Sequence, residues 1–135
     1  MKYLLSIFVF IFISFSANAA MLSKDNFKCG NVKVKIEKYN NEDAFYDEEY
    51  NRIVLSQHYF KTISPNLQKF IFLHECGHAN KIFSESGADK YAYKEARKIN
   101  LPIEIKEMCR EMESKSRCAK LKKLINSDNS ATASK

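Results

Sequence analysis

Val32, Val34 and Ile36 alternate with Lys33, Lys35 and Glu37, a period of two that predicts a half-buried strand with one wet face. Asn40 to Asp43 reads as a polar turn, Ala44 to Tyr46 as a short strand, and Asp47 to Glu49 as a second turn. Arg52 to Ser56, built around Ile53-Val54-Leu55, is the clearest strand. Together these pieces predict a small antiparallel sheet.

The period then changes. Ser64 is a good N-cap, and Pro65 at the first helical position gives up no N–H that the helix needs. The helix is predicted from Pro65 to about Ile82. At 100° per residue, Leu67, Ile71, His74, Glu75, His78 and Ile82 share one side, and Phe72, Leu73 and Cys76 lie opposite. A helix apolar nearly all round is a central, buried one. Ser84 caps a next helix from Glu85 to about Ile99, whose Ala88, Ala92 and Ala96 allow close packing. Pro102 restarts the chain, Ile103 to Met112 and Arg117 to Ile125 read as one or two further helices, and Ser127 to Lys135 reads as a disordered tail. Strands first and helices after define an α+β fold.

Composition adds an address and a redox setting. Lys2, the apolar run Tyr3 to Phe15 and the small residues of Ala17-Asn18-Ala19 match a signal peptide, residues 1–19, cut before Ala20. The run is shorter than the roughly 20 residues of a membrane-spanning helix, so no span is expected after cleavage. That leaves one domain over residues 20–126, exported to a periplasm or the outside. All four cysteines (Cys29, Cys76, Cys109 and Cys118) lie beyond the signal, and an even count in an oxidising compartment predicts two disulfides. Three connectivities are open. Cys76 projects about 160–200° from the helix face of His74 and His78, toward the sheet. Cys29 beside the first strand is one candidate partner, with Cys109 and Cys118 then closing a short loop. Net charge is +6, with Lys115, Arg117, Lys120, Lys122 and Lys123 clustered near the C-terminus. No aromatic residue interleaves that cluster to stack on bases, so it reads as a solvated helix face rather than a nucleic-acid site.

Chemistry concentrates in His74-Glu75-Cys76-Gly77-His78. Histidines at i and i+4 project from one helical face about a turn apart, which suits two ligands of a single Zn²⁺. Glu75 lies beside that face, where it can reach a metal-bound water without ligating the metal. A catalytic zinc usually takes a third protein ligand, yet no histidine follows His78. Glu85 and Asp89, also i and i+4, share a face of the next helix. One carboxylate could bind zinc while the other accepts a hydrogen bond from a ligand imidazole.

H-E-x-x-H followed by E-x-x-A-D resembles the gluzincin class of zinc metallopeptidases, which includes thermolysin. The resemblance is closer to small exported bacterial proteins that carry H-E-C-G-H after a Tyr-containing hairpin, matched here by Phe45-Tyr46-Asp47, Arg52 to Leu55 and His74 to Ala92. It implies a minimal zincin-like fold with Glu85 as third zinc ligand and Asp89 orienting a ligand histidine. It also implies a peptide or protein substrate, extended along the strand Arg52 to Ser56. Only six residues separate His78 from Glu85, so the chain must reverse almost at once, where thermolysin-like enzymes insert a subdomain. His58, Tyr59 and Tyr93 are candidate donors to an oxyanion. The rival readings are an inactive zinc-binding module and a disulfide-linked interaction protein.

Overall fold

The computed structural model describes residues 22–133; the signal segment 1–19 and its cut before Ala20 lie outside them. Three strands form one sheet: β1 (Lys33–Glu37), β2 (Ala44–Asp47) and β3 (Arg52–Ser56), in the order β1-β3-β2. β2 and β3 make the expected antiparallel hairpin, with Asp47 opposite Arg52. β1, however, pairs parallel to β3, Val34 against Ile53 and Ile36 against Leu55, so the sheet is mixed rather than antiparallel. The cause is hydrophobicity. Ile53, Val54 and Leu55 are all buried and need cover on both faces, which puts β3 in the middle. The alternating β1 and the short β2 take the edges. Arg52 to Ser56 is therefore the central strand and not an edge.

Among the described residues five α-helices accompany the sheet: α1 (Gln57–Phe60), α2 (Pro65–Ala79), α3 (Glu85–Lys98), α4 (Ile105–Glu111) and α5 (Lys115–Ala133). Ser64 caps α2 by accepting from the Leu67 N–H, and its own hydroxyl donates to Glu107 of α4. α2 is central, as its all-round apolarity predicts. Phe72 and Cys76 face the sheet in a cluster with Phe27, Ile53, Leu55 and Phe60. Leu67, Phe70 and Leu73 enter a second cluster with Ala92, Tyr93, Met108, Leu121 and Ile125. α5 runs through Ser127 to Ala133, where polar composition predicts a disordered tail. Its buried Leu121 and Ile125 anchor the preceding turns.

α2 ends three residues earlier than its pattern suggests. Lys81 takes a left-handed conformation (φ 65°), the Ile82 N–H donates to the Gly77 carbonyl, and the Lys81 N–H donates to that of His78. This Schellman closure satisfies the last carbonyls and turns the chain inside the six-residue connection. α3 then packs back against α2. The contact is close because Gly77 faces Ala88: a Cβ at Gly77 would lie 3.1 Å from the Ala88 Cα. Two disulfides fasten the arrangement. Cys29–Cys76 joins the segment before β1 to α2, and Cys109–Cys118 joins α4 to α5, with Cα separations of 5.9 Å and 5.1 Å. Such pairs suit an oxidising compartment. Among the described residues no helix is long and apolar enough to cross a membrane.

Candidate metal centre

The reversal between α2 and α3 brings three side chains together. His74 Nε2 and His78 Nε2 are 3.1 Å apart. Glu85 lies 3.3 Å from His74 Nε2 through Oε2 and 3.4 Å from His78 Nε2 through Oε1. Ligands about 2.0–2.1 Å from a tetrahedral ion stand about 3.3–3.4 Å from one another. Each imidazole nitrogen thus stands at the spacing of neighbouring ligands from its partner nitrogen and from one oxygen of Glu85, a different oxygen in each case. His74, His78 and Glu85 could hold a metal ion, and two imidazoles with a carboxylate suit a divalent transition metal better than calcium or magnesium.

The outer ring nitrogens settle the tautomers. His74 Nδ1 is 2.8 Å from Asp89 Oδ1, and His78 Nδ1 is 2.8 Å from the Ile82 carbonyl oxygen. A carboxylate and a carbonyl can only accept, so each Nδ1 carries a proton, and in the neutral ring each Nε2 presents a lone pair. Two lone pairs and a carboxylate therefore converge on one point. Without a cation or a further proton between them they repel.

Asp89 is 3% exposed and does not stand alone. Arg117 of α5 donates to it twice, Nε to Oδ2 at 2.8 Å and Nη2 to Oδ1 at 2.7 Å, and its Nη1 lies 3.0 Å from Glu85 Oε2. Burial alone would raise the Asp89 carboxyl; the hydrogen bonds from Arg117 and His74 outweigh it and hold the group below the usual carboxylate range. Arg117 is itself held protonated more firmly, first by its hydrogen bonds to Asp89. Sequence reasoning placed Arg117 on a solvated basic face. The structure instead turns it inward, and no local signal distinguishes it from the lysines around it.

Glu75 is buried beside the histidines and does not belong to the donor triangle. Burial pushes its carboxyl up to about 7; the Glu85 and Glu42 carboxylates add to this, and the His74 ring and a backbone hydrogen bond from Tyr46 oppose it. A cavity of about 200 Å³ opens at this point, with His74, Glu75, Glu85 and Arg117 on one side and Leu67, Ile71, Met108 and Met112 along its floor. Ala44, Phe45 and Tyr46 of β2 line a second hollow over the same His74, Glu75, His78 and Glu85. The edge strand thus borders the donor atoms.

The three oxyanion candidates separate. Tyr59 lines the cavity and donates to Glu111 Oε2 at 2.8 Å. Burial, and then that hydrogen bond, push its phenol up, so it stays a neutral donor. His58 is exposed and stacks on Tyr39, ring centroids 5.3 Å apart, and Tyr93 is sealed in the helical cluster. Neither lines the cavity. Cys76 faces away from the triangle into its disulfide with Cys29.

No family model matches the chain, and no curated protein or solved structure matches it either.

Proposed function

We propose that this chain is an exported zinc-dependent hydrolase that cleaves peptide bonds, of the gluzincin kind that its motifs resemble. The observation that carries the reading is the convergence of two Nε2 lone pairs and the Glu85 carboxylate at 3.1–3.4 Å, with both Nδ1 protons already committed elsewhere. An ionised Asp89 behind His74 fixes the orientation of that imidazole, as outer carboxylates do in zinc sites.

His74, His78 and Glu85 would hold the zinc, which when bound would supply Lewis acidity for the scissile carbonyl and for a water. Glu75 takes the proton of the attacking water and passes it to the leaving amine. Its carboxyl, raised to about 7, is suited to both transfers near neutrality. Tyr59 lines the cavity and would serve a developing oxyanion by turning its O–H away from Glu111. The unpaired edge of β2 borders the site, so an extended peptide would add to the sheet there.

Elemental analysis of the purified protein tests the metal: one zinc per chain is expected, lost in His74→Ala. Glu75→Gln keeps the shape but cannot accept a proton. Zinc should remain in that variant while hydrolysis of a peptide library falls at least about a hundredfold. Zinc without hydrolysis in the unsubstituted protein would leave a metal-binding module and overturn the catalytic reading.

A further inference from the structure

The surface behind the metal centre has the opposite character to the cavity in front of it. Asp43, Glu75, Glu85 and Glu111 border the front cavity. Behind Asp89 and Arg117, α3 and α5 enclose a groove of about 470 Å³. Lys90 of α3 and Lys120 and Lys123 of α5 stand along it, over Leu121 and Leu124. Lys120 and Lys123 are three residues apart and share a helical face. Among the described residues none of these three lysines forms an ion pair. Asp89, the carboxylate that reaches the groove, is already committed to Arg117 and His74.

We propose that this groove is a docking site for an acidic peptide segment of another protein, with acidic side chains on the three lysines and an apolar residue on the Leu121–Leu124 floor. Charge complementarity selects an anion, and the shape of the groove selects among anions. It is a concavity lined in part by the buried Leu121 and half-buried Leu124, whereas a bilayer needs a flat or protruding face. No aromatic side chain lines it, whereas single-stranded nucleic acid binding rests on stacking platforms. Ammoniums on two separate helices, with leucines between, fit discrete carboxylates alternating with aliphatic residues. The same acidic segment is repelled by the carboxylates of the front cavity, so it docks behind the site rather than across it.

The probe is a short fluorescein-labelled peptide in which glutamates flank single leucines, titrated with the full chain and followed by anisotropy. Binding is expected, weakening with added salt, and falling at least about tenfold in the Lys120→Glu, Lys123→Glu double variant and again with Lys90→Glu. The neutralising pair Lys120→Gln, Lys123→Gln should fall between. His74→Ala should bind the peptide unchanged, which separates this site from the metal centre. Affinity indifferent to the charge reversals would overturn the proposal. So would single-stranded DNA or phosphatidylserine vesicles binding more tightly than the peptide with the same lysine dependence.

Discussion

The two histidines of α2 are one turn apart and are supported in opposite ways. His74 leans on Asp89 of α3, which leans on Arg117 of α5, so its orientation depends on three helices and on charge. His78 leans on the Ile82 carbonyl, a backbone group set by the turn that ends its own helix. One support is tertiary, ionic and open to side-chain substitution. The other is local and neutral, and it persists as long as the Schellman turn does. The pair therefore gives one imidazole whose orientation depends on the rest of the fold and one that is held by its own helix end.

The largest effect should come from the donor that both imidazoles share. On the proposed zinc site Glu85→Ala removes a ligand rather than a support, and zinc affinity measured by chelator competition should fall by more than the about 10–100-fold typical of an outer-shell loss. Retained affinity there would remove Glu85 from the site. Titration of the metal-free protein comes next, because the Asp89 support and the buried Glu75 beside His74 both ionise whereas the Ile82 carbonyl does not. Glu75 has a raised folded pKa, so its contribution is fully present below about 4.5 and is lost as pH rises through about 7, a change of about 3 kcal/mol. Asp89 has a lowered folded pKa, so its contribution is present above its ordinary value and is lost as pH falls below it. Thermal melts should therefore show stability declining on both sides of mildly acid pH. Glu75→Gln should flatten the neutral side, and Asp89→Asn the acid side.

Asp89→Ala should weaken zinc by about 10–100-fold and leave a site, since the His78 support is untouched. It also strands the Arg117 guanidinium, so circular dichroism must first show that the variant folds. If Asp89→Ala abolishes zinc while Glu85→Ala retains it, the two carboxylates exchange roles. The smallest effect belongs to the neutral support. Lys81 sits at φ 65°, a conformation glycine adopts without strain. Lys81→Gly should raise stability by up to about 1 kcal/mol in denaturant melts and leave zinc affinity within about twofold.

What the sequence reveals is what helical spacing encodes. His74, His78, Glu85 and Asp89 were readable because i, i+4 pairs on two consecutive helices fix their faces before any tertiary contact is known. The opposite projection of Cys76 was readable for the same reason. Strand pairing is non-local, so the alternation in β1 announced a strand but not the parallel partner it would choose. Arg117 looked like its lysine neighbours, because only the docking of α5 turns it toward Asp89. The Ile82 carbonyl was beyond reach altogether, since a backbone acceptor has no residue type. His58 and Tyr93 do not line the cavity, because having the right functional group says nothing about which cavity it lines.

The contact of Gly77 with Ala88 bears on the metal centre in a mechanical sense. His74 and His78 ride on α2 and Glu85 rides on α3, so one edge of the donor triangle is internal to a helix and the other two measure the gap between helices. Glycine 77 lies between the two histidines in the chain, at the point where the helices touch. A methyl group there would force Ala88 to give by a few tenths of an ångström. The histidine pair would keep its spacing while the carboxylate moved off. The two helices work as jaws, and their closest approach is set by a residue with no side chain at all.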